Sequence, residues 1–313
     1  KKKDVKKYGQ KAEALKKAIN DNFWVEEDGY YASYLYGRQN LTRTQQSETL
    51  GESFCVLFGI ADEERAAKVI SSMPVGEFGP PIFSPQIVSQ PDYHNNGVWP
   101  YVTSFWGKAA AKVGNETALM HALACNVRTA SIYATNYENY SFNTGNPYTT
   151  QINSPNMLWG LSGFMGLFHR TFFGLEFTKE GLALKPFVPT VLAGTRKLEA
   201  FPYRGMKLDI TVSGSGNEIA SCLVDGKEAE AFIPADWTGN HSIEIVMKGE
   251  HKPSSVNMVG YIGMPEVPAV KAEAGKLQWN AISGAAKYWV LKDGQKVAET
   301  TSCSFDAQGD GEY

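Results

Sequence analysis

Apolar residues recur at three- and four-residue steps through the N-terminal part of the chain and at alternate positions further on. Over residues 4–24, Tyr8, Ala12, Leu15, Ala18, Ile19 and Phe23 form one stripe, the spacing of an amphipathic helix. Residues 45–59 predict a second helix with Leu50, Phe54, Val56, Leu57 and Phe58 apolar. "IADEERAAKVISSM" predicts a third, with Asp62 placed to accept from its first free N–H groups. Helical patterns return over 100–113 and 116–134. "SPNMLWGLSGFMGLFHRTFF" predicts a further helix, with Ser154 as N-cap and Pro155 in its first turn. The intervening "PVGEFGPPIFSPQIVSQPDYHNNG" is too rich in Pro and Gly for a helix. A loop of about 20 residues is uncommon in a compact domain unless it has a task.

After Gly174 the period changes to two. "LEFTKEGLALKPFVP", "RKLEAFPYRGMKLDITVSGSG", "IASCLVDGKEAEAFIPA" and "HSIEIVMKG" alternate apolar and polar residues between Gly-bearing turns, which predicts antiparallel strands. The expected division is helical over 1–174, an antiparallel β domain over 175–250, a linker over 251–265 and a partial β-module over 266–313. In that last module, Trp279 and Tyr288 to Val290 fall where a fibronectin III-like sandwich places inward residues, and the roughly seven strands of such a sandwich are not all present. The expected fold class is therefore multidomain, α then β. Helical hairpins form part of a toroid, and an antiparallel β domain and a truncated fibronectin III-like sandwich follow. Both ends of the chain read as cut from a longer polypeptide.

Composition narrows the function little. The 313 residues carry a formal net charge of -3, which gives no general pull toward nucleic acid or anionic membranes. The four cysteines include no CxxC pair and the five histidines are scattered, so no metal site and no cofactor are expected. Cys55 and Cys125 lie in apolar helical patterns and read as buried thiols. No apolar run is long enough to span a bilayer, and the lysine-rich start has no hydrophobic signal region. The glycines of "GLSGFMG" lack the lysine of a phosphate loop and follow no strand, so they read as helix-packing positions.

Three stretches carry chemistry. "YHNNGVWPYVTSFW" gathers Tyr93, His94, Asn95 and Trp99 ahead of a helix that starts at Pro100. Rings that stack on the C–H face of a sugar stand beside groups that hydrogen-bond its hydroxyls. The plainer reading is a Pro-initiated helix anchored by its aromatics. "YENY" places Glu138 between Tyr137 and Tyr140. Hydroxyl and amide donors from Asn136, Tyr137 and Tyr140 would favour the charged carboxylate that a base needs. A solvated surface carboxylate is the commoner fate of a Glu. In "RTQQSETLGES", Glu48 and Glu52 stand four residues apart on one predicted helix face with Arg43 nearby. Glu48 and Arg43 are read as substrate-binding residues and Glu52 as structural.

Taken in order, "ETLGESFCVLFGIADEERA", "PPIFSPQ", "YHNNGVWPYVTSFWGKAAA", "NYENYSFNTGN" and "SPNMLWGLSGFMGLFHRTFFGLEF" resemble the C-terminal half of an (α/α)6-barrel, or six-hairpin, glycosidase. The nearest resemblance is to glycoside hydrolase family 63 and the mannosylglycerate-hydrolase-like group, with trehalases and glucoamylases as relatives. The resemblance implies that Glu138 is the general base and Trp99 the ring-stacking residue. It also implies a general acid upstream, because no Asp before Glu138 stands in the family's acid motif. The function expected is inverting hydrolysis of an α-glucosidic or α-mannosidic bond. The alternative is a non-catalytic carbohydrate-binding protein on a degenerate barrel. The partner expected is an oligosaccharide or glycoside, and the location expected is exported, periplasmic or cell-surface.

Overall fold

The computed structural model describes residues 2–37 and 39–313. Six α-helices occur among the described residues: α1 Lys2–Asn22, α2 Thr49–Leu57, α3 Glu63–Ser72, α4 Pro100–Lys112, α5 Glu116–Tyr133 and α6 Leu158–Leu167. Asp62 caps α3 by accepting from the Arg65 N–H at 2.8 Å, and Asn115 caps α5 by accepting from the Ala118 N–H at 2.9 Å. Helix α4 is the centre of the helical part and packs against α2, α5 and α6. Small residues make this possible: a Cβ on Gly107 would lie 2.9 Å from the Ala122 methyl, so α4 and α5 approach closely. The buried core around them includes Trp106, Val69, Ile70, Met73, Leu119 and Leu167. On α6, Gly163 packs against Tyr101 of α4, as the sequence predicts.

The expected toroid does not form. Helix α1 is exposed from Asp4 to Ala18 and packs on the rest at its C-terminal end, around Ile19, Asn20 and the following Phe23. Helices α2, α3 and α6 are only 9 or 10 residues long, and the connections between helices carry short strand pairs. Four of these strands matter below: β1 Ser47–Glu48, β2 Phe83–Ser84, β3 Gly97–Val98 and β4 Tyr140–Ser141. The apolar periodicity is satisfied by helices packed on α4, with Gly- and Pro-rich segments pairing as strands where hairpin turns were expected.

The β region also differs from an antiparallel domain. Strands β5 Gly194–Tyr203, β6 Met206–Gly214, β7 Glu218–Val224, β8 Lys227–Glu228 and β9 Gly239–Lys248 form one sheet in the order β5-β6-β9-β7-β8. Strands β6 and β9 pair in parallel, so the sheet is mixed. Period-two burial is plain in β6, where Met206, Leu208 and Ile210 are buried and Lys207 and Asp209 exposed. A separate three-stranded sheet joins Leu175–Phe177, Gly181–Leu184 and Phe232–Pro234.

The last part of the chain is no truncated fibronectin III-like sandwich. It holds a three-stranded sheet and a separate two-stranded sheet, and among its hydrophobic residues only Leu277, Ile282 and Val290 are fully buried. Too few inward residues are present for two sheets to face each other across a core. The segment expected as a linker returns to the helical part. Asn257–Met258 pairs in parallel with Pro74–Val75, and the Ile262 carbonyl accepts from the Gln86 N–H at 2.8 Å.

Candidate functional site

A strip of backbone pairing joins the three stretches singled out by their chemistry. Strand β1 pairs with β2, setting Glu48 opposite Phe83. The Thr49 N–H donates to the Ile82 carbonyl at 3.0 Å, and the Ile82 N–H donates to the Gly97 carbonyl at 2.9 Å. Strand β3 pairs with β4, setting Val98 opposite Tyr140. The Phe142 N–H then donates to the Asn96 carbonyl at 2.8 Å. The loops that carry Glu48, Trp99 and Glu138 are therefore held in register by main-chain bonds.

Gly97 is required at the turn. A Cβ there would stand 1.8 Å from the Tyr93 carbonyl oxygen. The same oxygen accepts from Trp99 Nε1 at 3.0 Å, so the loop folds back over Gly97 and the indole closes it. Asn96, at φ 52°, makes the left-handed step that Asn tolerates.

The rings gather on this turn. His94 stacks on Trp99 with centroids 4.9 Å apart and planes at 27°, and Tyr93 lies edge-on to Trp99 at 5.2 Å. Trp159, from the first turn of α6, meets Trp99 edge-on at 5.4 Å and stacks on Tyr101 at 4.7 Å. Trp99 itself is only 5% exposed. The rings left open for a ligand are those of His94, Tyr93 and Trp159, the last 38% exposed. Trp159 is not among the residues singled out in the sequence; an indole on an otherwise apolar helix looks like core.

Glu138 is half-buried, and its N–H donates to the Ser154 carbonyl at 3.0 Å. Ser154 thus anchors the Glu138 loop, and α6 begins later, at Leu158, without a side-chain cap. The tyrosines flanking Glu138 are engaged elsewhere. The Tyr137 hydroxyl donates to the Tyr148 hydroxyl at 3.3 Å, and the Tyr140 hydroxyl accepts from the Tyr137 N–H at 3.2 Å. The phenol beside Glu138 is that of Tyr93, from the other loop. Burial first, and then the Glu138 carboxylate, raise the Tyr93 pKa above its ordinary value. Asn139 is fully buried, its Nδ2 donating to the Ile152 carbonyl at 3.0 Å while its Oδ1 has no partner.

Glu48 and Glu52 do not share a helix face, because Glu48 is the residue before α2. Its carboxylate accepts from the Leu50 and Gly51 N–H groups at 3.1 and 2.6 Å. Burial raises its pKa, while these bonds and the nearby His94 imidazole act in the opposite sense. Glu52 is 2% exposed and accepts from the Tyr31 N–H at 2.7 Å. Arg43 donates to the Asn22 carbonyl at 2.8 Å, on another part of the surface strands. Asn95 braces its own loop, accepting from the Ile87 N–H at 2.7 Å and donating to the Ile87 and Gln90 carbonyls.

A cleft of about 1500 Å³ lies elsewhere, between the helices and the strands, with Phe105, Lys108, Arg170 and Glu218 in its wall. Burial and then Arg170 push Lys108 down to about 8 there. That cleft contains none of the residues that gather at Glu138. Tyr93, His94, Trp99, Trp159 and Glu138 form the candidate site, chosen by the chemistry they bring together and not by cleft volume. Among the described residues no group of three His, Cys, Asp or Glu side chains is placed to hold a metal. No helix among them is long and apolar enough to cross a membrane.

Residues 1–159 match the family model described as the mannosylglycerate hydrolase MGH1-like glycoside hydrolase domain. No curated protein matches the chain.

Proposed function

The chain belongs to the mannosylglycerate hydrolase MGH1-like glycoside hydrolase family, and from this premise we propose that Glu138 is the general base of an inverting hydrolysis of an α-glucoside or α-mannoside. The observation that carries the reading is the pairing of β3 with β4, which brings Glu138 to the Tyr93 hydroxyl beside the ring cluster. A sugar set against His94 and Trp159 places its hydroxyls among the imidazole, the Tyr93 phenol and the carboxylates.

The chemistry is a single displacement. Glu138 takes a proton from a water molecule, and the water oxygen bonds to the anomeric carbon. The bond to the leaving oxygen breaks on the opposite face, and its electron pair leaves with that oxygen. A second carboxyl group must protonate it, and inverting enzymes keep the two carboxyls roughly 6.5–9.5 Å apart to admit the water. Glu48 accepts two backbone N–H groups through its two oxygens, an arrangement suited to holding the loop and a substrate hydroxyl. The role assigned within this chain is therefore that of the base.

The test is Glu138→Gln in the full-length enzyme. The loss expected is about 10²–10⁴-fold in kcat, the usual contribution of a general base. Proton NMR of the first product formed by the unaltered enzyme should show the anomer of opposite configuration to the substrate. Unchanged turnover of every cleavable glycoside by Glu138→Gln would overturn the assignment, and retained configuration would overturn the mechanism.

A further inference from the structure

Beyond the ring cluster at Trp99, a second group of rings stands on the other arm of the Glu138 loop. We propose that Tyr148, with Tyr137 and Tyr133, forms a platform for a second sugar ring, so that the substrate is a neutral oligosaccharide of two or more rings. This rests on the glycosidase reading above. Tyr148 is 71% exposed, yet its ring is held. It meets Tyr137 edge-on at 5.7 Å and Tyr133 edge-on at 5.9 Å. Its N–H donates to Asn146 Oδ1 at 2.8 Å, and its hydroxyl accepts from the Tyr137 hydroxyl at 3.3 Å. Beneath them the buried Tyr140 ring stacks on Tyr133 at 5.9 Å.

A ring exposed to this degree normally turns down onto the surface to cover its apolar area. Here the hydroxyl bond and the two edge contacts keep it presented. The platform offers an apolar ring face next to phenol hydroxyls, which matches a pyranose: C–H bonds on one face, hydroxyls on the rim. Among the described residues no lysine or arginine lies over these rings, and a neutral polyol needs none. Tyr137 is joined by a peptide bond to Glu138. The platform therefore begins one residue from the proposed base.

The experiment is titration calorimetry on the full-length Glu138→Gln protein, with and without Tyr148→Ala. Methyl α-D-glucopyranoside and methyl α-D-mannopyranoside serve as one-ring probes, and the α-linked trisaccharides of glucose and mannose as long probes. Tyr148→Ala is expected to weaken the trisaccharide that binds by roughly 5–10-fold, the worth of one aromatic contact. It should leave the one-ring probe unchanged, and Tyr148→Phe should keep most of the trisaccharide affinity. If one-ring probes bind and Tyr148→Ala leaves trisaccharide affinity intact, or weakens both lengths equally, the platform is overturned while the glycosidase reading stands. If no probe of either length binds while the unaltered enzyme hydrolyses an α-glycoside, the platform alone is overturned; if it hydrolyses none either, the glycosidase reading falls as well.

Discussion

Tyr93 and Glu138 stand side by side although α4 and α5 lie between them in the chain. Their proximity gives a spectroscopic prediction. A neighbouring negative charge disfavours the phenolate, so Glu138 contributes to holding the Tyr93 pKa above 10.0. Replacing Glu138 with Gln removes that charge and leaves the burial contribution. The ultraviolet titration of Tyr93, taken as the difference between each protein and its Tyr93→Phe partner, should move to lower pH in Glu138→Gln. An unmoved titration would show that the two side chains do not sense one another. Tyr93→Phe alone should lower kcat/KM by roughly 10-fold or more, as expected for losing a hydrogen bond to a charged group.

Gly97→Ala should separate the site from the fold. The added Cβ would meet the Tyr93 carbonyl at 1.8 Å, so the loop must open. The cost expected is about 1–3 kcal/mol in urea denaturation. Because the same carbonyl accepts from Trp99 Nε1, kcat/KM should fall by more than stability alone explains. Activity equal to the unaltered enzyme would show that the turn does not position the site.

Glu52 gives a pH dependence of stability. Burial raises its carboxyl well above the ordinary 4.5, and one of its oxygens has no partner. A folded-state pKa above the unfolded one contributes stability that is complete below the unfolded pKa and is lost as pH rises through the folded one. The melting temperature should therefore carry a Glu52 contribution that declines above about pH 4.5. Glu52→Gln, which cannot ionise and can still accept from the Tyr31 N–H, should flatten that decline. Identical pH profiles for the two proteins would exclude a protonated Glu52.

Gln86 tests the returning segment. Its Oε1 accepts from the Ile262 N–H at 3.1 Å, and its Nε2 donates to the Phe83 carbonyl at 3.1 Å. Gln86→Ala removes both side-chain bonds while the main-chain bonds of residue 86 to Ile262 and Met264 stay, a loss of about 1–3 kcal/mol. Limited proteolysis should then cut first between residues 84 and 95, and kcat/KM should fall with it. Resistance equal to that of the unaltered protein would show that the segment is not a clamp.

The sequence made the helices legible to within a few residues wherever a stripe was long, as in α4 and α5. It misplaced the start of α6, because Ser154 and Pro155 look like a helix start while Ser154 in fact receives the Glu138 N–H. The toroid was inferred from helix order, and order does not reveal that α1 is exposed over most of its length or that the connections pair as strands. In the sheet, alternation of apolar residues fixes which face is buried and is silent on strand direction, so the parallel β6–β9 pair was invisible. At the site, "YHNNGVW" and "YENY" were visible as chemistry. That the hydroxyl beside Glu138 comes from Tyr93 and not from its own neighbours depends on a two-residue strand pair, too short to leave a periodic signal.

The bond from Ile262 to Gln86 spans 176 residues. A ribosome adding about 5–20 residues each second needs roughly 10–35 s to make that much chain. Throughout that interval the Pro-rich loop that bears Tyr93 has emerged without its last partner. The contact that ties down this loop is thus among the last the chain can make as it is synthesised.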